Sequence, residues 1–153
     1  MSIKKVHRRD IMEIKRNIVI KNEEDTRDFG LALGNSARPG QVLALIVDLG
    51  CGKTTLTKYI AQGLGIEENI SSPTFTIVKE YHGGRIPLYH FDVYRIGDAD
   101  ELFNIGAHEY FYGQGLCVVE WADLIEDELP EDTMYIFMEY GGKEEERVYR
   151  CTF

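Results

Sequence analysis

Apolar positions recur along the chain with the periods of strands and helices in turn. Residues 12–20 alternate loosely and predict a first strand near a sheet edge. Residues 41–47 form a near-continuous apolar run that predicts a second strand, and residues 53–63 return to helical spacing before the helix stop at Gly65. Between the two strands, residues 23–37 predict a helix that carries at helical spacing Phe29, Ala32, Leu33 and Ser36.

The second half of the chain is richer in strands. Residues 76–81 and 86–92 are strand-like, and the tight Gly83-Gly84 connection between them favours a hairpin. Residues 116–120 are a compact apolar run, typical of a central strand buried on both faces. Short helical pieces broken by Gly106 and a last pair of strands complete the predicted elements, at residues 100–112, 134–140 and 147–153.

The turn between the second strand and the helix at residue 53 carries the first candidate chemistry. Residues 48–54 read Asp-Leu-Gly-Cys-Gly-Lys-Thr, close to the G-x-x-x-x-G-K-[ST] phosphate-binding pattern. Successive backbone N–H groups at a helix N-terminus bind phosphate, Lys53 would reach the outer phosphates, and the Thr54 hydroxyl would sit on Mg²⁺. Val47 stands where the pattern has its first Gly, so it must end the strand, because a β-branched residue tolerates positive φ poorly.

This turn fixes the predicted fold class. A strand, a phosphate loop and a helix, followed by a hairpin and a buried strand, predict an α/β protein with a P-loop NTPase-like three-layer sandwich around a mixed, mainly parallel sheet. At 153 residues the chain is expected to be a single P-loop ATPase domain. Residues 1–10 are predicted to be a mobile basic arm, with contact to RNA or a partner as the alternative.

Composition narrows the function classes. The formal net charge of −9 argues against a protein that grips nucleic acid over its whole surface. No apolar run approaches membrane-spanning length and no secretory segment is present, so we expect a cytoplasmic protein without a membrane partner. The three cysteines lack metal-ligand spacing and predict free thiols in a reducing compartment.

Two acidic residues lie where they could complete a nucleotide site. Asp92 and Glu120 each follow an apolar run, and in an open α/β sheet such strand ends face the ligand crevice. Mg²⁺ takes oxygen ligands, and an attacking water needs a proton acceptor. Either residue could instead be a simple strand cap, but the phosphate loop upstream makes a function for at least one of them the expectation.

Two further features keep two readings each. Ser72, Thr74 and Thr76 lie where a nucleotide-sensing switch would be, although a proline-rigidified turn explains them equally well. Trp121 is the only tryptophan and could stack on a base or simply pack. Thr55 adds a hydroxyl without an assigned role. The residues expected to contact nucleotide are therefore Asp48, Leu49, Gly50, Cys51, Gly52, Lys53, Thr54, Thr55 and Trp121.

Four linked motifs resemble those of the bacterial TsaE family, also called YjeE. They are the segments 48–54, 72–76, 90–95 and 120–121, followed by Leu129-Pro130, and the likeness covers about residues 15–150 in order and spacing. The chain departs from the family at Val47, where the family has Gly, and at Cys51, where Ala is usual.

The resemblance implies a Mg²⁺-dependent ATPase that binds ATP and ADP. It acts with the TsaB and TsaD proteins in forming threonylcarbamoyladenosine beside the anticodon of tRNA, and it meets tRNA only through that complex. By this likeness Thr54 and Glu120 hold Mg²⁺, and the catalytic residues are Lys53, Asp92 and Glu120. Residues 72–76 would be the switch, and Trp121 would lie close to the nucleotide.

Two alternatives belong to other classes. A small-metabolite or nucleoside kinase would need several arginines converging on two phosphorylated substrates, and beyond residue 95 the chain has only Arg147 and Arg150. A nucleotide sensor that binds ATP and only docks would not need Asp92 for its function. Substitution of Asp92 separates this sensor from an ATPase.

Overall fold

The computed structural model describes residues 12–47, 53–73 and 77–153, so the predicted basic arm lies outside the described residues. Within these described ranges, seven strands join in one sheet. In chain order they are β1 (Arg16–Ile20), β2 (Val42–Val47), β3 (Val78–Tyr81), β4 (Leu88–Asp92), β5 (Leu116–Glu120), β6 (Met134–Tyr140) and β7 (Arg147–Cys151). The spatial order is β1-β7-β6-β2-β5-β4-β3.

The sheet is parallel at its centre and antiparallel at both sides. Strands β6, β2, β5 and β4 run parallel to one another. Strand β3 pairs antiparallel with β4, and β7 pairs antiparallel with both β6 and β1. The mixed, mainly parallel sheet and the hairpin of β3 and β4 were both predicted. Strand β5 is buried at every position because helical layers cover both faces of the sheet.

Alternate residues of the central strands pack into two separate cores. Leu43 and Leu45 of β2 lie in the core under helices α1 (Glu23–Ser36) and α2 (Lys53–Gly63). Val42 and Ala44 lie in the core on the other face. That face carries α3 (Ala99–Asn104), α4 (Ala107–Phe111) and a 3-10 helix (Ala122–Glu128). The result is a three-layer sandwich, in which only the 3-10 helix was not predicted.

Helices α1 and α2 pack through glycine. A Cβ on Gly34 would lie 2.2 Å from the carbonyl oxygen of Ile60, so only a bare backbone permits this approach. Of the four residues at helical spacing, Phe29 and Leu33 pack against the core as predicted, whereas Ala32 and Ser36 are exposed. Hydrophobic periodicity misses this contact because glycine carries no side chain to count. The buried positions of α1 are Thr26, Gly30 and Gly34.

The C-terminal ends of the parallel strands meet at one edge of the sheet. Strand β2 ends at Val47, as the β-branched side chain required, and α2 begins at Lys53. Strands β4 and β5 end at Asp92 and Glu120, which are paired residues in the parallel ladder. This edge is where open α/β sheets bind ligands. Within the described residues, no helix is both long and apolar enough to cross a membrane.

Candidate active site

The strand register puts the two predicted carboxylates side by side. Asp92 pairs with Glu120, and two residues earlier His90 pairs with Val118. Because side chains alternate across a strand, all four point to the same face of the sheet. Val118 belongs to the core that contains α2, so the carboxylates face the side of the sheet on which α2 begins.

Glu120 is fully buried, with 0% of the residue exposed. Its Oε1 atom lies 3.3 Å from Nε2 of His90, which is also completely buried. The contact falls short of hydrogen-bond geometry, and neither oxygen of Glu120 has a hydrogen-bond partner among the described residues. Burial of a carboxyl group without partners costs about 1–3 kcal/mol or more. A group kept at that cost, at a ligand-binding edge, is a candidate for a role in function.

Asp92 is held more firmly and is half-buried. Its Oδ1 atom accepts a hydrogen bond from the backbone N–H of Tyr94 at 3.0 Å. Its own backbone N–H donates to the carbonyl of Ile77 at 2.8 Å. These two contacts hold the Asp92 carboxylate at the end of β4.

Lys53 and Trp121 connect the start of α2 to the end of β5. The Lys53 ammonium lies 4.4 Å from the centroid of the Trp121 ring, and the Tyr94 ring lies 4.7 Å from the same indole. Trp121 has φ 62°, a left-handed conformation that costs a residue with a side chain about 1–2 kcal/mol. Such strain next to Glu120 is typical of functional sites, and here it accompanies the contact with Lys53.

The hydroxyl predicted to bind metal contacts the predicted switch. Thr54 Oγ1 and Ser72 Oγ are 3.0 Å apart. The neighbouring Ser71 donates its backbone N–H to the Tyr81 hydroxyl at 3.3 Å, which ties this segment to β3. On the far side of the segment, Ile77 has φ 66°, an uncommon value for a β-branched residue. Ser72, at the start of the predicted switch, therefore contacts Thr54, and Ile77, just after it, has a strained backbone.

The remaining predicted site residues either lie away from Lys53 and Trp121 or fall outside the described residues. Thr55 does not join Lys53 and Trp121 but lines a cavity of about 210 Å³ with Ile20, Asn22 and Tyr149. The remaining predicted residues lie outside the described residues: Asp48, Leu49, Gly50, Cys51, Gly52, Thr74 and Thr76. The other two cysteines are free and buried, as predicted, and burial raises the pKa of Cys117 to about 12.

The donor set near α2 fits Mg²⁺ better than a softer metal. Thr54 and Glu120 offer oxygen atoms, and both Glu120 oxygens are buried without hydrogen-bond partners among the described residues. Mg²⁺ bound with a nucleotide needs only one or two protein oxygens, since phosphates and waters supply the rest. The described residues contain no group of three or more His, Cys, Asp or Glu that could hold a metal alone.

The contact of His90 with Glu120 was not predicted from the sequence. A signal was present in the pattern: His90 stands two positions before Asp92 in a strand. Period-2 alternation therefore puts both side chains on one face of the sheet. What the pattern could not supply was the neighbouring strand that brings Glu120 within 3.3 Å of His90.

Comparison with known proteins gives consistent matches over most of the chain. The model of the family "Threonylcarbamoyl adenosine biosynthesis protein TsaE" matches residues 20–149. The chain is 50% identical over 127 residues to a Bacillus subtilis protein named tRNA threonylcarbamoyladenosine biosynthesis protein TsaE, covering 83% of this chain and 79% of that one. A Treponema pallidum protein of the same name is 46% identical over 118 residues, covering 77% and 87% respectively.

A solved structure matches the fold as well as the sequence. The crystal structure of Bacillus subtilis YdiB superposes with a TM-score of 0.75 at 43% identity, covering 91% of this chain and 86% of that chain. Together with the observed strand order, this match confirms the predicted P-loop NTPase-like fold class.

Proposed function

The chain belongs to the TsaE family, and from this membership we propose that it is a Mg²⁺-dependent ATPase serving the formation of threonylcarbamoyladenosine in tRNA. In this proposal it works with TsaB and TsaD proteins, which carry the transfer chemistry and most of the tRNA contact. The net charge of −9 is consistent with a subunit that leaves the polyanion to its partners.

One observation carries the ATPase proposal: a fully buried carboxylate without hydrogen-bond partners among the described residues ends β5 beside Trp121, whose ring Lys53 contacts. A structural carboxylate in a core is normally hydrogen-bonded. A carboxylate that shares a metal ion with a nucleotide gains its partner only when both are bound. Thr54 at the start of α2 supplies the second protein oxygen in this proposal.

The site residues then have defined parts in hydrolysis. Lys53 leaves the indole and binds the β- and γ-phosphates, where its charge offsets the charge that develops during in-line attack by water. Asp92, fixed by the Tyr94 N–H, orients that water and accepts its proton. Thr54 and Glu120 would hold Mg²⁺, which would supply positive charge to the phosphoryl oxygens. The backbone amides of residues 48–52 bind the phosphates, a part that rests on the sequence pattern alone.

The contact of Thr54 with Ser72 supports a switch role for residues 72–76. A metal ion bound to the Thr54 oxygen would compete with Ser72 for its lone pairs, so the 3.0 Å contact with Ser72 would respond to metal binding. Ser72 therefore senses whether a nucleotide occupies the site, and the segment up to Ile77 follows it.

The test is ATP turnover by the purified chain with and without TsaB and TsaD. We expect slow hydrolysis by the chain alone and acceleration by the pair. Asp92→Asn should retain ATP binding and lower turnover by about 10²-fold or more, the usual contribution of a general base. Fast turnover without partners would contradict the partner dependence, and normal turnover by Asp92→Asn would contradict the role of that residue.

A second assay addresses the kinase alternative. Labelled ATP is incubated with a panel of nucleosides and small metabolites, and we expect label only in free phosphate. Transfer of label to any acceptor would favour a kinase over an ATP hydrolase.

A further inference from the structure

His90 is a buried side chain that the proposed reaction does not yet use. It lies two residue pairs deeper in the sheet than Glu120, and none of its surface is exposed. Neither ring nitrogen has a hydrogen-bond partner among the described residues, although Nε2 lies 3.3 Å from Glu120 Oε1. Burial of a histidine at such a position costs stability, since an apolar residue would fill the space without two polar atoms that need hydrogen-bond partners.

We propose that His90 is a positioning residue that donates its Nε2–H to Glu120 and aims that carboxylate at the metal ion of a bound nucleotide. The inference rests on the proposed function, because it assigns a partner to the metal ligand named there. Carboxylates that bind metals are themselves held by hydrogen bonds from neighbouring side chains, and loss of such a partner typically costs 10–100-fold in metal affinity or activity.

The geometry gives the two oxygens of Glu120 different tasks. Oε1 lies 3.3 Å from His90 Nε2, within donor–acceptor distance, so a reorientation of the carboxylate or of the ring would align this contact as a hydrogen bond. Oε2 then remains for the metal ion. Without His90 the Glu120 carboxylate would be free to rotate and would lose a hydrogen-bond donor that offsets its charge. Part of the free energy of metal binding would then be spent on fixing the carboxylate, and the affinity for the metal ion would fall.

The test compares two substitutions of similar size. His90→Gln places an amide N–H near the former Nε2 position, whereas His90→Met fills the same space without a donor. The readout is the affinity for Mn²⁺, measured by electron paramagnetic resonance with a non-hydrolysable ATP analogue bound. Affinity for the same analogue in EDTA and the melting temperature serve as controls for the fold.

We expect His90→Met to weaken Mn²⁺ binding about 10–100-fold, with little change in metal-free nucleotide affinity, and His90→Gln to stay within a few-fold of the wild type. If His90→Met does not fold, His90→Asn takes its place, since its shorter amide cannot reach Glu120 and should weaken metal binding in the same way. Unchanged Mn²⁺ affinity, or an equal loss of metal and metal-free nucleotide affinity, would overturn the inference.

Glu120→Gln separates this inference from the proposed function. If Glu120→Gln loses Mn²⁺ binding while His90→Met keeps it, the inference fails and the proposed metal site stands. If Glu120→Gln binds Mn²⁺ as well as the wild type does, Glu120 is not a ligand and both fail together.

Discussion

Replacing Glu120 with glutamine measures what the buried carboxylate costs the fold. The residue has no exposed surface, and neither oxygen has a hydrogen-bond partner among the described residues. Glutamine has nearly the same shape and no charge. Its carbonyl oxygen could still accept a hydrogen bond from His90, although its amide group would remain without a partner.

The expected magnitude follows from the cost of an unpartnered buried polar group, about 1–3 kcal/mol and more if it is charged. Glutamine keeps an unpartnered polar group but removes the charge, whose burial costs more than that of a neutral group. Glu120→Gln should therefore raise the free energy of unfolding of the nucleotide-free protein by about 1–3 kcal/mol. For a chain of this length that corresponds to a rise of roughly 3–10 °C in melting temperature. The expectation is that a variant defective in metal binding is the more stable protein.

The assay is thermal and urea unfolding, without ligand and with ATP and Mg²⁺. The wild type should gain about 2.7 kcal/mol when the ligand is at 100 times its dissociation constant, and Glu120→Gln should gain much less. The matched control is Glu139→Gln, whose half-exposed carboxylate lies 3.5 Å from Arg150 and should change stability by less than about 1 kcal/mol. A nucleotide-free Glu120→Gln protein clearly less stable than the wild type would refute the reasoning, because the carboxylate would then already be satisfied within the fold.

Three other predictions test the fold and the site. Gly34→Ala should lower the free energy of unfolding by about 2–4 kcal/mol, because the new Cβ would lie 2.2 Å from the Ile60 carbonyl oxygen. The control Gly142→Ala should be nearly neutral, since the space around Gly142 is open. Equal effects of the two substitutions in urea unfolding would contradict the glycine contact. Because burial raises the pKa of Cys117 to about 12, the folded chain keeps a proton that the unfolded chain releases. The free energy of unfolding should therefore fall between about pH 9 and 11 more steeply in the wild type than in Cys117→Ala, by about 1.4 kcal/mol per pH unit; parallel curves would argue against the burial effect. The Lys53 ammonium lies 4.4 Å from the ring of Trp121, the only tryptophan, and must move away from it to bind phosphate. ATP should therefore change the fluorescence emission of Trp121, and Lys53→Met should abolish that change. An unchanged response in the variant would contradict the placement of Lys53 in the site.

The sequence by itself determined the succession of elements and several of their ends. Val47 had to end a strand because a β-branched residue avoids positive φ, and the helix after it begins at Lys53 as predicted. Asp92 and Glu120 could be placed at strand ends because each follows an apolar run. These are local properties, encoded by periods of two and 3.6 residues and by the conformational limits of single residues.

Only the tertiary structure decided which of these residues meet. The register that pairs Asp92 with Glu120 depends on how two strands distant in sequence align, and a shift by one residue would turn one carboxylate to the other face of the sheet. The same alignment brings His90 to Glu120, and the placement of α2 brings Lys53 to Trp121. Strand pairing and packing depend on the whole chain, because each of these contacts joins two segments that are distant in sequence. The local pattern of one segment does not specify which other segment it will contact.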